Sequence, residues 1–372
     1  MSIIRVICYP AHIIFVFLMS ASVCFAQKNT DTTWIQTSSG CKVYNPHPVK
    51  NETITWTGPC VDGFAQGHGA LTWYKKGKIN QVYVGEMQRG LRYGRGRYDY
   101  GNGTTYEGLY EKDKRVEGKV YLRRDDGTVW YFYEGPLNDF NAHGHGTEVY
   151  YTTSGDTSSL YTGYFLDDKR NGEGLFIDYY RPVIIWFKGV FSDGKLEGEG
   201  ERWETQNNER VTYYKGAFRG DRREGYGEET TGLNKYAGGW HEDEPDGYGV
   251  LTFNDTLVYE GTWKGGMMDG RGTRVYPDGS YYVGTLRKNE RHGFGMLYWT
   301  TGAKYIGQFR GDLFSGWGCI QQDGFPVDML SGSWERGKLI SSKTFHEVSV
   351  ELKKIYGDLY LEYLSDKVSD KK

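Results

Sequence analysis

Residues 259–272 read Tyr259-Glu260-Gly261-Thr262-Trp263-Lys264-Gly265-Gly266-Met267-Met268-Asp269-Gly270-Arg271-Gly272. An aromatic, a glycine and a second aromatic stand at i, i+2 and i+4, which puts all three on one face of a β-strand. A second arm follows, led by Gly270-Arg271-Gly272. In other copies that arm continues with large residues at the same period of two, as in Gly247-x-Gly249 before Leu251 and Phe253, or Gly67-x-Gly69 before Leu71 and Trp73. Two arms of this kind joined by a few polar residues predict a β-hairpin.

The hairpin recurs along the chain. The interval of nine residues from the first-arm glycine to the Gly-x-Gly holds in ten copies, from Trp56-Thr57-Gly58 with Gly67 and Gly69 to Tyr305-Ile306-Gly307 with Gly316 and Gly318. Tyr106-Glu107-Gly108 opens a worn copy in which Gly118 arrives one residue early, and Leu330-Ser331-Gly332 begins a half copy ending near Leu339. About eleven and a half units at a period of roughly 25 residues are the mark of an architecture whose units bury their faces on one another. Tight-turn dipeptides such as Asp126-Gly127, Asp278-Gly279 and Asp323-Gly324 separate copies. Glycine weakens a strand unless its bare backbone is used, and here the expected use is to let rings from neighbouring strands lie over it. The predicted fold is all-β: an elongated single-sheet solenoid of tandem hairpins spanning 56–340.

Composition agrees with this and excludes other classes. The chain has 372 residues, with 53 glycines, 9 prolines and 16% aromatic residues. Collagen would need far more proline and glycine, and a disordered chain would not carry so many rings. A formal net charge of −3 leaves no electrostatic claim on nucleic acid. A mean hydropathy of −0.65 leaves no room for a helical membrane bundle.

Tyr-x-Gly-x-Trp/Phe followed by Gly-x-Gly at this interval resembles the MORN repeat (membrane occupation and recognition nexus), and the likeness covers Trp56 to about Leu339. The resemblance implies an elongated β-hairpin solenoid that serves mostly as a scaffold for protein contacts, dimerisation or membrane association. Enzymes similar to it in their repeats carry catalytic domains that have no counterpart here, so no enzyme activity and no cofactor are expected.

The ends differ from the body. Arg5, the apolar run Ile13 to Met19 and small residues before a cleavage point after Ala26 predict a signal peptide over 1–26. An uncleaved N-terminal anchor is the competing reading. The protein is expected outside the cytoplasm: periplasmic, on the cell surface or secreted. Segment 27–55 reads as an N-terminal cap. Cys41 and Cys60 stand 19 positions apart, and in an exported chain they are candidates for a disulfide, with two unbonded thiols as the alternative. Cys319 reads as a lone core thiol. In 341–372, Val348, Leu352, Ile355, Leu359 and Tyr363 fall at helical spacing, predicting a short capping helix over the last open strand, followed by a tail.

Candidate chemistry is sparse. His143-Gly144-His145 lacks a converging third ligand, and no Cys-x-x-Cys pair occurs, so no metal is expected. One column stands just before the second-arm Gly-x-Gly: Glu197, Glu224, Asp246 and Asp269. It suggests a negative stripe facing a basic partner, or turn-forming carboxylates at a wet edge. Another column occupies the middle of Gly-x-Gly, with Tyr226, Tyr248, Phe294 and Trp317 around Arg271. If exposed, these rings suit glycan or protein; if packed, they are core. The expected function is a non-catalytic extracytoplasmic scaffold or adaptor for protein–protein or envelope-surface association. The expected partner is protein, with a membrane or cell-envelope surface and a second copy (a homodimer) as further surfaces an extended sheet can meet. The alternative is a binding module for polysaccharide or lipid head groups through the aromatic column.

Overall fold

The structure, a computed structural model, describes residues 34–179, 182–322 and 325–357. The signal segment 1–26, the start of the 27–55 segment, the Asp323-Gly324 turn, and Leu359, Tyr363 and the tail lie outside the described residues. From Glu52–Trp56 to Lys338–Ser342, 25 strands form one antiparallel sheet in chain order. The two end strands each pair with a single neighbour, Gly67–Lys75 and Phe325–Glu335, so the sheet is open. The result is the elongated hairpin solenoid that the repeat predicts.

A tyrosine and two glycines close each unit. Tyr83 is fully buried, and its ring covers Gly85 of its own strand and Gly96, the partner of Gly85 on the next strand. A Cβ on Gly85 would stand 2.5 Å from the Tyr83 hydroxyl and 2.6 Å from Gly96 Cα. The hydroxyl donates to the carbonyl of Glu86, three residues on, at 2.7 Å. Nine tyrosines, from Tyr83 to Tyr305, repeat this i to i+3 bond at 2.7–3.1 Å. In the first copy the Trp56 indole N–H donates to Pro59 O at 2.9 Å. Rings do lie over bare backbone as expected: each covers the second-arm glycine of the neighbouring strand and, in addition, the first glycine of its own strand. The i+4 ring packs edge-on against it: Trp263 stands 5.2 Å from Tyr259 at 79°.

The two glycines of Gly-x-Gly do different work. The second leaves room for the tyrosine; the first sits in the left-handed region, as in Gly94 (φ 65°) and Gly293 (φ 64°). There the second arm bulges against its own hairpin partner, with the register shift between Gly85 and Met87. The worn copy lacks this bulge glycine, yet Gly118 still pairs with Gly108 and the register still shifts, between Arg115 and Glu117. Phe187 has no hydroxyl to bond, and fully buried Leu196 packs over Gly189 and Gly200 instead.

The ends are built differently. Trp34–Gln36, Lys42–Tyr44, Cys60–Val61 and Phe64–Ala65 form a small separate sheet. Cys41 and Cys60 are joined as a disulfide with Cα atoms 5.6 Å apart. This sheet is tied to the first hairpins by Tyr44 N to Gly90 O (2.8 Å) and Ser38 N to Ile54 O (2.9 Å). At the other end a helix, Phe345–Tyr356, starts at a Thr344–Glu347 capping box. It buries Val348 and Leu352 on Phe294, Met296, Ile306 and Cys319. The helix thus lies across the face of the last hairpins, not along the edge of the last strand. Apolar side chains at Phe294, Met296 and Ile306 draw it there, while Lys338, Ser341 and Ser342 on the edge strand give it little to bury.

Candidate binding face

The rings and their glycines fill most of one face, whereas the opposite face of the sheet stays open over most of its length. Strand alternation puts the middle residue of Gly-x-Gly there, together with the residue that follows the second glycine. The latter row runs in register from strand to strand. Arg97, Glu107, Lys119 and Glu134 are consecutive in it, and so are Lys188, Glu201, Lys215 and Glu228. Charges alternate in sign along each series, and the Lys119–Glu134 pair closes to 3.3 Å. Towards the C-terminus the row turns apolar at Val283, Met296, Ile306 and Cys319, three of which the helix covers. Burial pushes the Cys319 thiol up to about 12, so it is an inert core group.

The aromatic column divides. Tyr226 and Tyr248 are 63% and 59% exposed, whereas Phe294 is buried under the helix with Tyr356 at 4.9 Å and Trp317 packs at the edge of the same cluster. Glu228 lies within reach of the Tyr226 hydroxyl at 3.4 Å, and Glu260 accepts from the Tyr248 hydroxyl. That hydrogen bond, with partial burial, pushes Tyr248 up to about 12.

The four acidic positions share one geometry. Glu197 accepts the N–H of Gly220 at 2.8 Å, Glu224 that of Glu242 at 3.3 Å, Asp246 that of Gly265 at 3.3 Å and Asp269 that of Lys288 at 3.2 Å. Each donor opens the turn of the following unit. Gln66 does the same for Arg89 N at 3.0 Å, so an acceptor oxygen, not a charge, is what the position needs for this bond. All four carboxylates are half-buried.

A second set of turn acceptors carries no sequence-derived expectation. The hairpin turns hold two consecutive residues at positive φ, as in Glu242 (48°) and Asp243 (72°), which is the type I′ geometry. Their second residue reaches back one unit: Asp168 accepts from Ala142 N at 2.7 Å, Asp221 from Leu196 N at 2.7 Å and Asn289 from Met268 N at 2.9 Å. The signal was the recurring Asp or Asn just before each second arm. Where the residue two positions after the turn is arginine, it folds over the rings; Arg223 stands 4.0 Å from the Trp240 centroid and pairs with Asp243 at 3.2 Å.

Among the described residues no group of three or more His, Cys, Asp or Glu is arranged to hold a metal ion. No described helix is long and apolar enough to cross a membrane. His145 packs edge-on against Tyr164 at 5.4 Å.

Comparison with known proteins agrees with this geometry. The MORN-repeat family profile matches seven segments: 83–105, 161–178, 187–207, 214–231, 236–257, 259–281 and 282–304. Alsin of Rattus norvegicus is 28% identical over 151 residues, 39% of this chain and 8% of Alsin. The Alsins of Mus musculus and Homo sapiens match over the same shares at the same identity. This chain therefore spans less than a tenth of the curated relatives it matches. Tandem hairpins closed by tyrosine over paired glycines, matched seven times by one profile, make this chain a member of the MORN-repeat family, a repeat scaffold of the membrane- or protein-binding kind.

Proposed function

We propose that this chain is an exported, non-catalytic scaffold that binds protein partners through the face of its sheet opposite the rings. The observation that carries the reading is the division of labour between faces. One face is largely filled by tyrosine–glycine closure, and the other remains open over most of the sheet. Its alternating Lys and Glu rows suit a protein surface better than an anionic membrane, which calls for a basic cluster. A groove of about 630 Å³ crosses this face over Arg95, Arg97, Glu107, Lys119 and Glu134. It sets opposite charges across neighbouring strands, which suits the polar surface of a protein partner. Export is supported by the Cys41–Cys60 disulfide, a bond that persists in oxidising compartments.

Fractionation of the native cell with thiol labelling tests export; recovery in the cytosol with Cys41 and Cys60 reduced would refute it. Cross-linking after capture of partners by the full chain tests the face. Cross-links are expected at Lys188 and Lys215; links confined to the turns would point to a different surface.

A further inference from the structure

Beyond the protein-binding role, and independent of it, we propose that Tyr226 and Tyr248 form a two-platform site for a neutral, extended glycan chain running along the long axis of the sheet. Two rows of side chains build the site. In the first, Tyr226 faces Gly239 on the intervening strand, and Tyr248 lies one strand beyond. The rings are therefore two strand steps apart, about 10 Å, which is the length of one disaccharide in an extended chain. Gly239 adds no side chain between them; a Cβ there would stand 2.0 Å from Asp246 O, so backbone alone floors the interval between the rings. In the second row Glu228, Ala237, Val250 and Glu260 stand in register across four consecutive strands. Two carboxylates thus bracket a floor of small apolar groups.

The hydroxyl contacts orient the platforms. Glu228 is two residues beyond Tyr226 on the same strand, and Glu260 is the register partner of Val250, two residues beyond Tyr248. Both rings incline the same way along the strands, towards the second row, and both remain more than half exposed. A ring lying over the sheet offers a flat face, which takes the C–H face of a pyranose, while the glutamates accept from its hydroxyls.

Charge and shape select this ligand over others. Lys215 stands beside Glu228 in register and Lys235 lies two residues from Ala237, so the carboxylates are matched by single ammonium groups and there is no basic cluster of the kind that polyanions and anionic head groups call for. It has no pocket for a buried anchor of the kind protein hot spots fill. The equivalent rings further along, Phe294 and Trp317, are occupied by the chain's own helix, so the site is limited to these two units.

The test is affinity electrophoresis of the full chain through gels carrying a soluble β-linked glucan, a neutral xylan or, as an anionic control, alginate. Retardation by at least one neutral glycan is expected, with Tyr226→Ala and Tyr248→Ala each weakening it about tenfold. Tyr226→Phe and Tyr248→Phe, which keep the platform, should stay close to the parent. No retardation by either neutral glycan, retardation by alginate alone, or alanine variants that migrate like the parent would each overturn the proposal. Far-ultraviolet circular dichroism of the variants excludes unfolding, which these exposed positions are not expected to cause. Loss of partner cross-links without loss of retardation would count against the scaffold reading alone.

Discussion

At the scale of the residue, the fold depends on a tyrosine hydroxyl and the absence of a Cβ beneath it. In the Tyr259 unit the hydroxyl donates to Thr262 O at 2.9 Å, and burial together with the lost hydration pushes the phenol up to about 12. Tyr259→Phe keeps the ring and removes the bond, so a loss of about 1 kcal/mol is expected. Gly261→Ala is the harsher change. Its Cβ would stand 2.5 Å from Arg271 O, Gly272 Cα and the Tyr259 hydroxyl, and two of these are backbone atoms that cannot step aside. The cost should be about 1–3 kcal/mol or more. Hydrogen exchange at the 256–275 hairpin checks both, and equal protection in the two variants would refute the ordering. The spacing of Tyr259, Gly261 and Trp263 made the shared face legible. What it could not show is why tyrosine differs from phenylalanine: Phe187 fits the same pattern, yet Leu196 covers its glycines because no hydroxyl anchors the ring.

At the scale of the element, a hairpin is held to its neighbour by side-chain oxygens as well as by the ladder. Asp269 takes the N–H of Lys288, and Asn289 of that same turn takes Met268 N in return. Asp269→Asn retains an acceptor and should leave thermal stability near the parent, whereas Asp269→Ala should lose about 1 kcal/mol. Thermal scans of the two variants decide between acceptor and charge; parallel losses would mean the charge matters to the fold. The acidic column was visible in the sequence as charge, because residue type is all that a column displays. Its hydrogen bonds were not, since the partner N–H lies about twenty residues on and only the meander brings it near. Helical spacing likewise revealed Val348 and Leu352, but not where the helix docks. That depended on which sheet surface was apolar, and Met296, Ile306 and Cys319 are individually unremarkable in their own strands.

At the scale of the whole molecule, nine closures add up. A tyrosine ordinarily ionises near 10, but burial raises Tyr161 and Tyr259 to about 12 and moves Tyr83, Tyr106, Tyr133, Tyr214, Tyr236 and Tyr305 in the same direction. A raised folded-state value means the folded chain holds its protons longer than the unfolded one. Their stabilisation is complete below pH 10 and is lost as pH climbs from 10 towards 12. Tyrosinate absorbance should therefore rise together with loss of sheet signal, and ionisation of all the phenols near pH 10 without unfolding would contradict the burial. The N-terminal disulfide acts on a shorter range, closing a loop of 19 positions. Cys41→Ser with Cys60→Ser should cost roughly 3 kcal/mol in the first hairpins. The helix tests the reach of such effects. In a chain where each unit touches only its neighbours, stability is summed locally. Val348→Asp with Leu352→Asp places two charges against Phe294, Met296, Ile306 and Cys319, so the helix should leave and expose that apolar surface. Binding of a hydrophobic dye and earlier aggregation are expected, with exchange rates rising over 290–335. Protection over 67–175 should not change, because more than 100 residues of sheet lie between. A uniform loss of protection across all hairpins would mean that the sheet unfolds as one cooperative body and not unit by unit.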